Sequence, residues 1–319
     1  VGVSWSDFLE ERWRRDETAI KKALTKAGVE YISTDAHRSN EQQIKDIDTL
    51  INKGAKAIIV LSWDADALLP AIANAKARGV PIIAYDRLIQ DKDVFYITFD
   101  NIEVGRIQAR EILKKKPQGN YAFIKGAATD ANADMLFSGQ MEVLSESLKA
   151  GRIKNIGDIY TDGWSPDNAQ KNMATILAKN GNKVDAVIAS NDGTAGGAIA
   201  ALNTANVKGV AISGQDADIA ALNRIARGDQ VVTVFKDPRK LGDAAGWVAS
   251  ELAMGKKLNQ IAGTVQWVGG TKKIPITSLL LRPIPITSTN LATVLSAKWI
   301  SKPQLCAGVD PLKGPDVCK

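Results

Sequence analysis

The chain has one histidine, two cysteines, four methionines and 6% aromatic residues in 319 positions. Each scarcity excludes a class of chemistry. His37 lies in a polar loop, Thr34-Asp35-Ala36-His37-Arg38, and reads as solvated; no Gly-x-Ser-x-Gly, His-Glu-x-x-His or Cys-x-x-Cys occurs to anchor nucleophilic or zinc catalysis. The glycines of Gly193-Thr194-Ala195-Gly196-Gly197 have the wrong spacing for a dinucleotide fingerprint, and Gly269-Gly270-Thr271-Lys272-Lys273 is not a phosphate loop, so no metal and no cofactor is expected. No apolar run is long enough to span a membrane. No leader precedes Val1, which already reads as the start of a strand, so a processed or trimmed chain is expected. Charge is not of one sign: 41 Lys and Arg against 35 Asp and Glu leave +6, dispersed along the chain, with Lys114-Lys115-Lys116 the densest run. That pattern is a solvated surface and argues against a nucleic-acid partner.

What is present is an ordinary globular balance, 45% hydrophobic and 24% charged, over a length that suits two domains. Four apolar runs (1–5, 31–34, 57–61, 81–85) alternate with helical patterns (10–27, 40–53, 65–77), as in Ile44, Ile47, Leu50 and Ile51. After a connection around 100–105 and a helix through Leu113, the alternation restarts. Strands are expected at 121–124, 156–160, 186–189, 210–213 and 230–235, with helices at 135–148, 166–178, 194–202, 219–226 and 238–254. Repeated strand–helix units predict an α/β fold of two doubly wound parallel-sheet domains. Expected crossings near Asn101, Asp237 and Gly269 make a three-segment hinge. They divide the chain into an N-terminal lobe, 1–101 plus 238–269, and a C-terminal lobe, 102–237 plus 270–319.

Parallel strands present ligand groups at their carboxyl ends. Here those ends read Ser6-Asp7, Trp63-Asp64, Asp86-Arg87, Thr129-Asp130-Ala131-Asn132, Asp162-Gly163-Trp164, Asn191-Asp192, Gln215-Asp216 and Lys236-Asp237. Most are carboxylates, carboxamides and guanidinium groups, which grip two partners at once and suit a ring of hydroxyls. Seven Trp outnumber six Phe and five Tyr, and indoles at Trp13, Trp63 and Trp164 would give flat faces for a pyranose. Trp247, Trp267 and Trp299 read as packing. Any one Asp or Asn here can simply cap the next helix, but Arg87, Lys236 and Trp164 cannot. A carboxylate pair drawn from Asp86, Asp130 and Asp216 is also compatible with glycoside hydrolysis.

The cysteines, Cys306 and Cys318, close a Gly/Pro-rich tail. A bridge between them would tie that tail down and imply an extracytoplasmic location; two free thiols are the alternative.

Several segments resemble the periplasmic sugar-binding proteins of ABC transporters, in the ribose/galactose-binding group. They are Glu11-Arg12-Trp13, Ala84-Tyr85-Asp86-Arg87, Ile97-Thr98-Phe99-Asp100-Asn101, Ser138-Gly139-Gln140-Met141, Asp162-Gly163-Trp164, Ala189-Ser190-Asn191-Asp192 and Ile212-Ser213-Gly214-Gln215-Asp216. The resemblance runs from Val1 to about Pro285. It implies a monosaccharide receptor that is not an enzyme, closes two lobes over its ligand, works as a monomer in the periplasm or tethered outside the cell, and delivers to a membrane permease. D-xylose is the expected sugar, with glucose or another pentose or hexose as the alternative. It implies that Arg12, Arg87, Asp130, Asn132, Asn191, Asp216 and Lys236 bond the hydroxyls and that Trp13 and Trp164 stack on the ring. Ala131 and Asp134 depart from the family pattern, and the tail beyond Pro285 does not resemble it. A sugar-responsive regulator domain and a cleft-carboxylate enzyme are the competing readings.

Overall fold

The apolar runs become buried parallel strands in the computed structural model, which describes residues 1–319. The chain forms two units, residues 1–100, 129–132 and 237–282 in the first and 101–128, 133–236 and 283–319 in the second. In the first, β1 (Gly2–Trp5), α1 (Arg12–Lys26), β2 (Ile32–Asp35), α2 (Asn40–Asn52), β3 (Ile58–Val60), α3 (Leu69–Ala77) and β4 (Ile82–Tyr85) follow the expected alternation. Next comes β5 (Phe95–Phe99), in a stretch to which the sequence assigns no element because no helix separates it from β4, and the connection expected around 100–105 is instead the first turn of a helix that begins at Asn101.

The second unit holds α4 (Asn101–Lys115), β6 (Gly119–Lys125), α5 (Ala131–Lys149, from Ala133 onward), β7 (Ile153–Tyr160), α6 (Pro166–Lys179), β8 (Ala186–Ala189), α7 (Asp192–Thr204), β9 (Ala211–Ile212), α8 (Ile219–Arg227) and β10 (Thr233–Phe235). The chain then re-enters the first unit with α9 (Pro238–Ala253), β11 (Val265–Trp267) and β12 (Ile276–Leu281). It ends in the second with β13 (Ile284–Ile286), α10 (Ala292–Ser296) and α11 (Lys302–Leu305).

Two sequence boundaries are corrected. The third crossing lies at 282/283 rather than near Gly269, because Gly269-Gly270 falls between two antiparallel strands of one sheet and does not end it. Residues 270–282 therefore belong to the first unit, where β12 pairs parallel with β5. Residues 129–132 also group with the first unit, although they lie inside the segment assigned to the other lobe.

The first sheet has the order β11-β12-β5-β4-β3-β1-β2, and the second the order β7-β6-β8-β9, with β10 and β13 as a separate antiparallel pair. Alternate residues of β6 feed opposite faces. Ala122 and Ile124 pack with Met173, Ile176 and Ala198 of α6 and α7, whereas Tyr121 and Phe123 pack with Ala109, Ile112 and Leu144 of α4 and α5. In the first unit α9 lies so close to α1 that a Cβ on Gly242 or Gly246 would fall 2.6 Å from Ala19 or Ala23. That approach brings the late helix onto the helix that begins with Arg12.

In the tail, Leu291, Val294, Trp299, Ile300 and Leu305 pack with Leu222, Ile225 and Phe235, and Cys306 is bonded to Cys318. A loop closed over 12 positions stabilises by about 2–3 kcal/mol in the chain-entropy model. A Cys306→Ala/Cys318→Ala variant should lose about that much in urea melts; an unchanged midpoint would mean that packing alone holds the tail.

Candidate functional site

Each unit gathers buried polar side chains at the carboxyl ends of its strands. In the first, α1 opens with Arg12 facing inward. Its Nε and Nη2 donate to Oδ2 and Oδ1 of Asp16, one turn on, at 3.2 and 3.1 Å, and its Nη1 lies 2.9 Å from Asp86 Oδ2. The Tyr85 hydroxyl also donates to Asp16. Burial pushes the Asp16 carboxyl up, against the pull of Arg12, and lifts the Tyr85 phenol well above its ordinary value.

Asp86 takes a left-handed φ of 61° immediately after β4, with its N–H donating to Ile97 O of β5 at 2.8 Å. Asn132 Nδ2 donates to both the carbonyl and Oδ1 of Asp86 at 3.2 Å. The next residue, Arg87, donates from Nη1 to Ser62 O at 3.0 Å, and its Nε lies 3.2 Å from Asp130 Oδ2. Its Nη2 is 3.6 Å from Glu10. Burial opposes the Arg87 charge, but Asp130, Glu10, Asp7 and Asp86 outweigh it and hold the guanidinium protonated. Trp13 lies beneath both arginines, its ring 4.5 Å from the Arg12 guanidinium carbon and 5.8 Å from that of Arg87. Its indole Nε1 is buried without a hydrogen-bond partner.

In the second unit, Asp216 takes a φ of 91°, its N–H donating to Val234 O of β10 at 2.8 Å. Its carboxylate lies 3.3 Å from Lys236 Nζ, just past the end of β10. Asn191 caps α7: its Oδ1 accepts from Thr194 N and Oγ1 at 2.9 and 2.8 Å, so the cap engages only the oxygen half of the carboxamide. Trp164 closes a short 3-10 turn with φ 56° and packs against Ala127 and Ala133. A Cβ on Gly126 would lie 2.2 Å from its ring, so that glycine makes room for the indole.

The ten residues singled out as ligand groups are all buried. Arg12, Trp13, Asp86, Arg87, Asp130 and Asn132 form one connected cluster, and Asp216 with Lys236 a second, while Asn191 and Trp164 stand on separate strand ends of the second unit. Trp63 stands apart, under the guanidinium of Arg38 at 5.0 Å. Ala131 opens α5, and Asp134 is exposed with the Tyr160 hydroxyl donating to it, outside both clusters.

Sequence reasoning missed Glu10, Asp16 and Tyr85. The spacing Arg12-x-x-x-Asp16 on one helix face was the available signal. No group of three or more His, Cys, Asp or Glu side chains is placed to hold a metal ion.

Asp192 supports the second cluster from below, with its Oδ2 accepting from Thr233 Oγ1 at 2.7 Å and from Asp218 N at 3.0 Å. Burial pushes its carboxyl up to about 7, against Arg224 and the hydrogen bonds from Thr233 and Gln230, while Asp216 adds to the rise.

A family model described as periplasmic binding protein domain matches residues 1–257. The D-xylose-binding periplasmic protein of Escherichia coli (strain K12) is 40% identical over 293 residues, covering 91% of this chain and 87% of that protein. The multiple sugar-binding periplasmic receptor ChvE of Rhizobium radiobacter is 30% identical over 319 residues, covering 92% and 88%. Among solved structures, an ABC transporter solute binding protein from Clostridium phytofermentans with bound β-D-glucose superposes with a TM-score of 0.86 at 31% identity, covering 95% of this chain and 99% of that one.

The raised Asp192 value has a testable sign. Its stabilising contribution is complete below the ordinary value of 3.8 and is lost as pH rises through about 7. Unfolding free energy from denaturant melts should fall between about pH 4 and pH 7 in the wild type and fall less steeply in Asp192→Asn. Parallel slopes would refute the assignment.

Proposed function

Because this chain belongs to the periplasmic binding protein domain family, we propose that it is the solute receptor of an ABC importer and that its ligand is D-xylose. The observation that carries the sugar reading is the make-up of the buried clusters: carboxylates paired with cations in both units, with planar, bidentate guanidinium groups beside the Trp13 indole in the first. The 40% identity to a D-xylose-binding relative supports the choice of pentose. Glucose is the second reading, favoured by the glucose-bound neighbour; the two sugars differ by one hydroxymethyl group.

Arg12, Arg87, Asp130 and Asn132 from the first unit, with Asn191, Asp216 and Lys236 from the second, bond the hydroxyls, Asp86 orients Arg12, and Trp13 and Trp164 cover the ring faces. A ligand that touches groups of both units stabilises the arrangement in which it touches both, and the permease reads that population shift. The sugar is released unchanged. The receptor acts as a monomer in the periplasm or tethered outside the cell, and a disulfide suits that compartment.

The first cluster also constrains the ligand's charge. Four carboxylates, Glu10, Asp16, Asp86 and Asp130, surround two guanidinium groups. An acidic or phosphorylated sugar is opposed there, whereas a neutral polyol is not.

Calorimetric titration with D-xylose, D-glucose, D-ribose and D-galactose should show binding of xylose with glucose weaker or absent. No binding to any of the four would defeat the reading, and consumption of xylose or a xyloside on prolonged incubation would return the enzyme alternative. Asp216→Asn keeps shape but removes the charge opposite Lys236; it should weaken xylose binding by about 10- to 100-fold, since a hydrogen bond to a charged group contributes about 1.5–3 kcal/mol.

A further inference from the structure

The family match ends at residue 257, and the tail after β13 has no role in the sugar site as proposed. Yet one of its side chains reaches that site's supports. Trp299 is only 5% exposed, and its indole Nε1 donates to the carbonyl of Ala217 at 2.7 Å. Its ring centre lies 5.1 Å from that of Phe235. Ala217 follows Asp216 and Phe235 precedes Lys236, so one indole braces the backbone beside both partners of the ion pair.

The bracing matters because the loop is held in an unfavourable conformation. Asp216 and Ala217 have φ of 91° and 54°, a region that residues with a Cβ occupy only when the surroundings fix them. Hydrogen bonds from several elements do so. Asp216 N–H reaches Val234 O at 2.8 Å, Ala217 N–H reaches Thr233 Oγ1 at 3.0 Å, and Asp218 N–H reaches Asp192 Oδ2 at 3.0 Å. The Trp299 bond to Ala217 O is added from the tail. The tail is itself anchored: Asn223 Nδ2 on α8 donates to the carbonyls of Leu305 and Ala307 at 3.0 and 2.8 Å, and the Cys306–Cys318 bond closes the segment that follows.

We propose that the C-terminal tail is a working part of the ligand site, in which Trp299 is a positioning residue that sets the Asp216–Lys236 pair and thereby the affinity for the sugar. The proposal rests on the reading that these two residues hold the ligand. It assigns to the tail a role in recognition in addition to stability.

The test uses the full chain and D-xylose. Trp299→Phe keeps a ring against Phe235 but loses the indole donor. Its Kd should rise about tenfold, the size of one lost hydrogen bond to a buried carbonyl, with most of the change in the dissociation rate. In its ligand-free NMR spectrum the amide resonances of Asp216 to Asp218 should move. Trp247→Phe, on an indole 40% exposed in the first unit, serves as the control and should bind as the wild type does.

A second measurement needs no variant: on saturation with D-xylose, the wild-type Trp299 indole N–H should shift and exchange more slowly with solvent. A Kd for Trp299→Phe within about twofold of wild type, or an indole resonance that ignores the sugar, overturns the proposal. Asp216→Asn separates the two ideas. If that variant binds within about twofold of wild type, the site assignment itself fails; if it is weakened at least about tenfold while Trp299→Phe binds normally, only the role of the tail fails.

Discussion

A carboxylate held against a cation at the end of a buried strand is the constraint on which both units depend. Asp86 faces Arg12, and Asp216 faces Lys236. Both acids adopt left-handed backbone, and both send their N–H to the carbonyl of a neighbouring strand at 2.8 Å. The two features support each other. The left-handed turn stops the apolar strand and swings a carboxylate inward, where it is tolerated only because a cation meets it. Without the pair, the turn would bury an uncompensated charge; without the turn, the pair would not form.

Behind each pair lies a second layer that ligand groups alone would not require. Asp16 grips two of the three Arg12 nitrogens and receives the Tyr85 hydroxyl. Gln43 and Gln108 act on the sheets in similar ways. Gln43 Nε2 donates to Leu61 O at 2.8 Å, and its Oε1 accepts from Trp63 N at 2.8 Å. Gln108 Nε2 donates to Ser190 O and Gly214 O at 3.0 and 3.1 Å. Where a sheet ends, its carbonyls and N–H groups lose their ladder partners, and these carboxamides supply replacements inside the protein. The strand ends are thereby rigid before any ligand arrives.

This division explains which parts could be read from the sequence. The strand–helix alternation and the polar strand ends are local patterns, so the two sheets and most of the buried candidates were legible without coordinates, whereas Arg12, on α1, was named only by the family resemblance. β5 was not, because the chain runs from Tyr85 to Phe95 without a helix and the alternation offers no cue. The placement of β12 was missed because a Gly-Gly pair inside an antiparallel connection has the same composition as a domain boundary. Asp16 carries no local mark of burial, and its backbone is approached by Gly242 of α9, more than two hundred positions later. Trp299 is a further case: its partner Ala217 lies 82 positions away, and no local pattern encodes that distance.

The arrangement of Arg12 bears on how a sugar can be both tightly held and released. Nε and Nη2 are fixed on Asp16 while Nη1 is turned to Asp86, and on the proposed reading the ligand exchanges with the contact to Asp86. A hydroxyl both donates and accepts, so it can enter between a cation and a carboxylate and satisfy each without altering the charge of either. On the proposed reading the same applies between Asp216 and Lys236. The ordering of the charged side chains is then completed on folding rather than on binding, and the ligand needs to reorganise only one edge of each pair. An anionic ligand could not use that exchange, because it would satisfy the cation while repelling the acid. On the proposed reading, the ion pairs that make the strand ends tolerable also select for a neutral ring of hydroxyls.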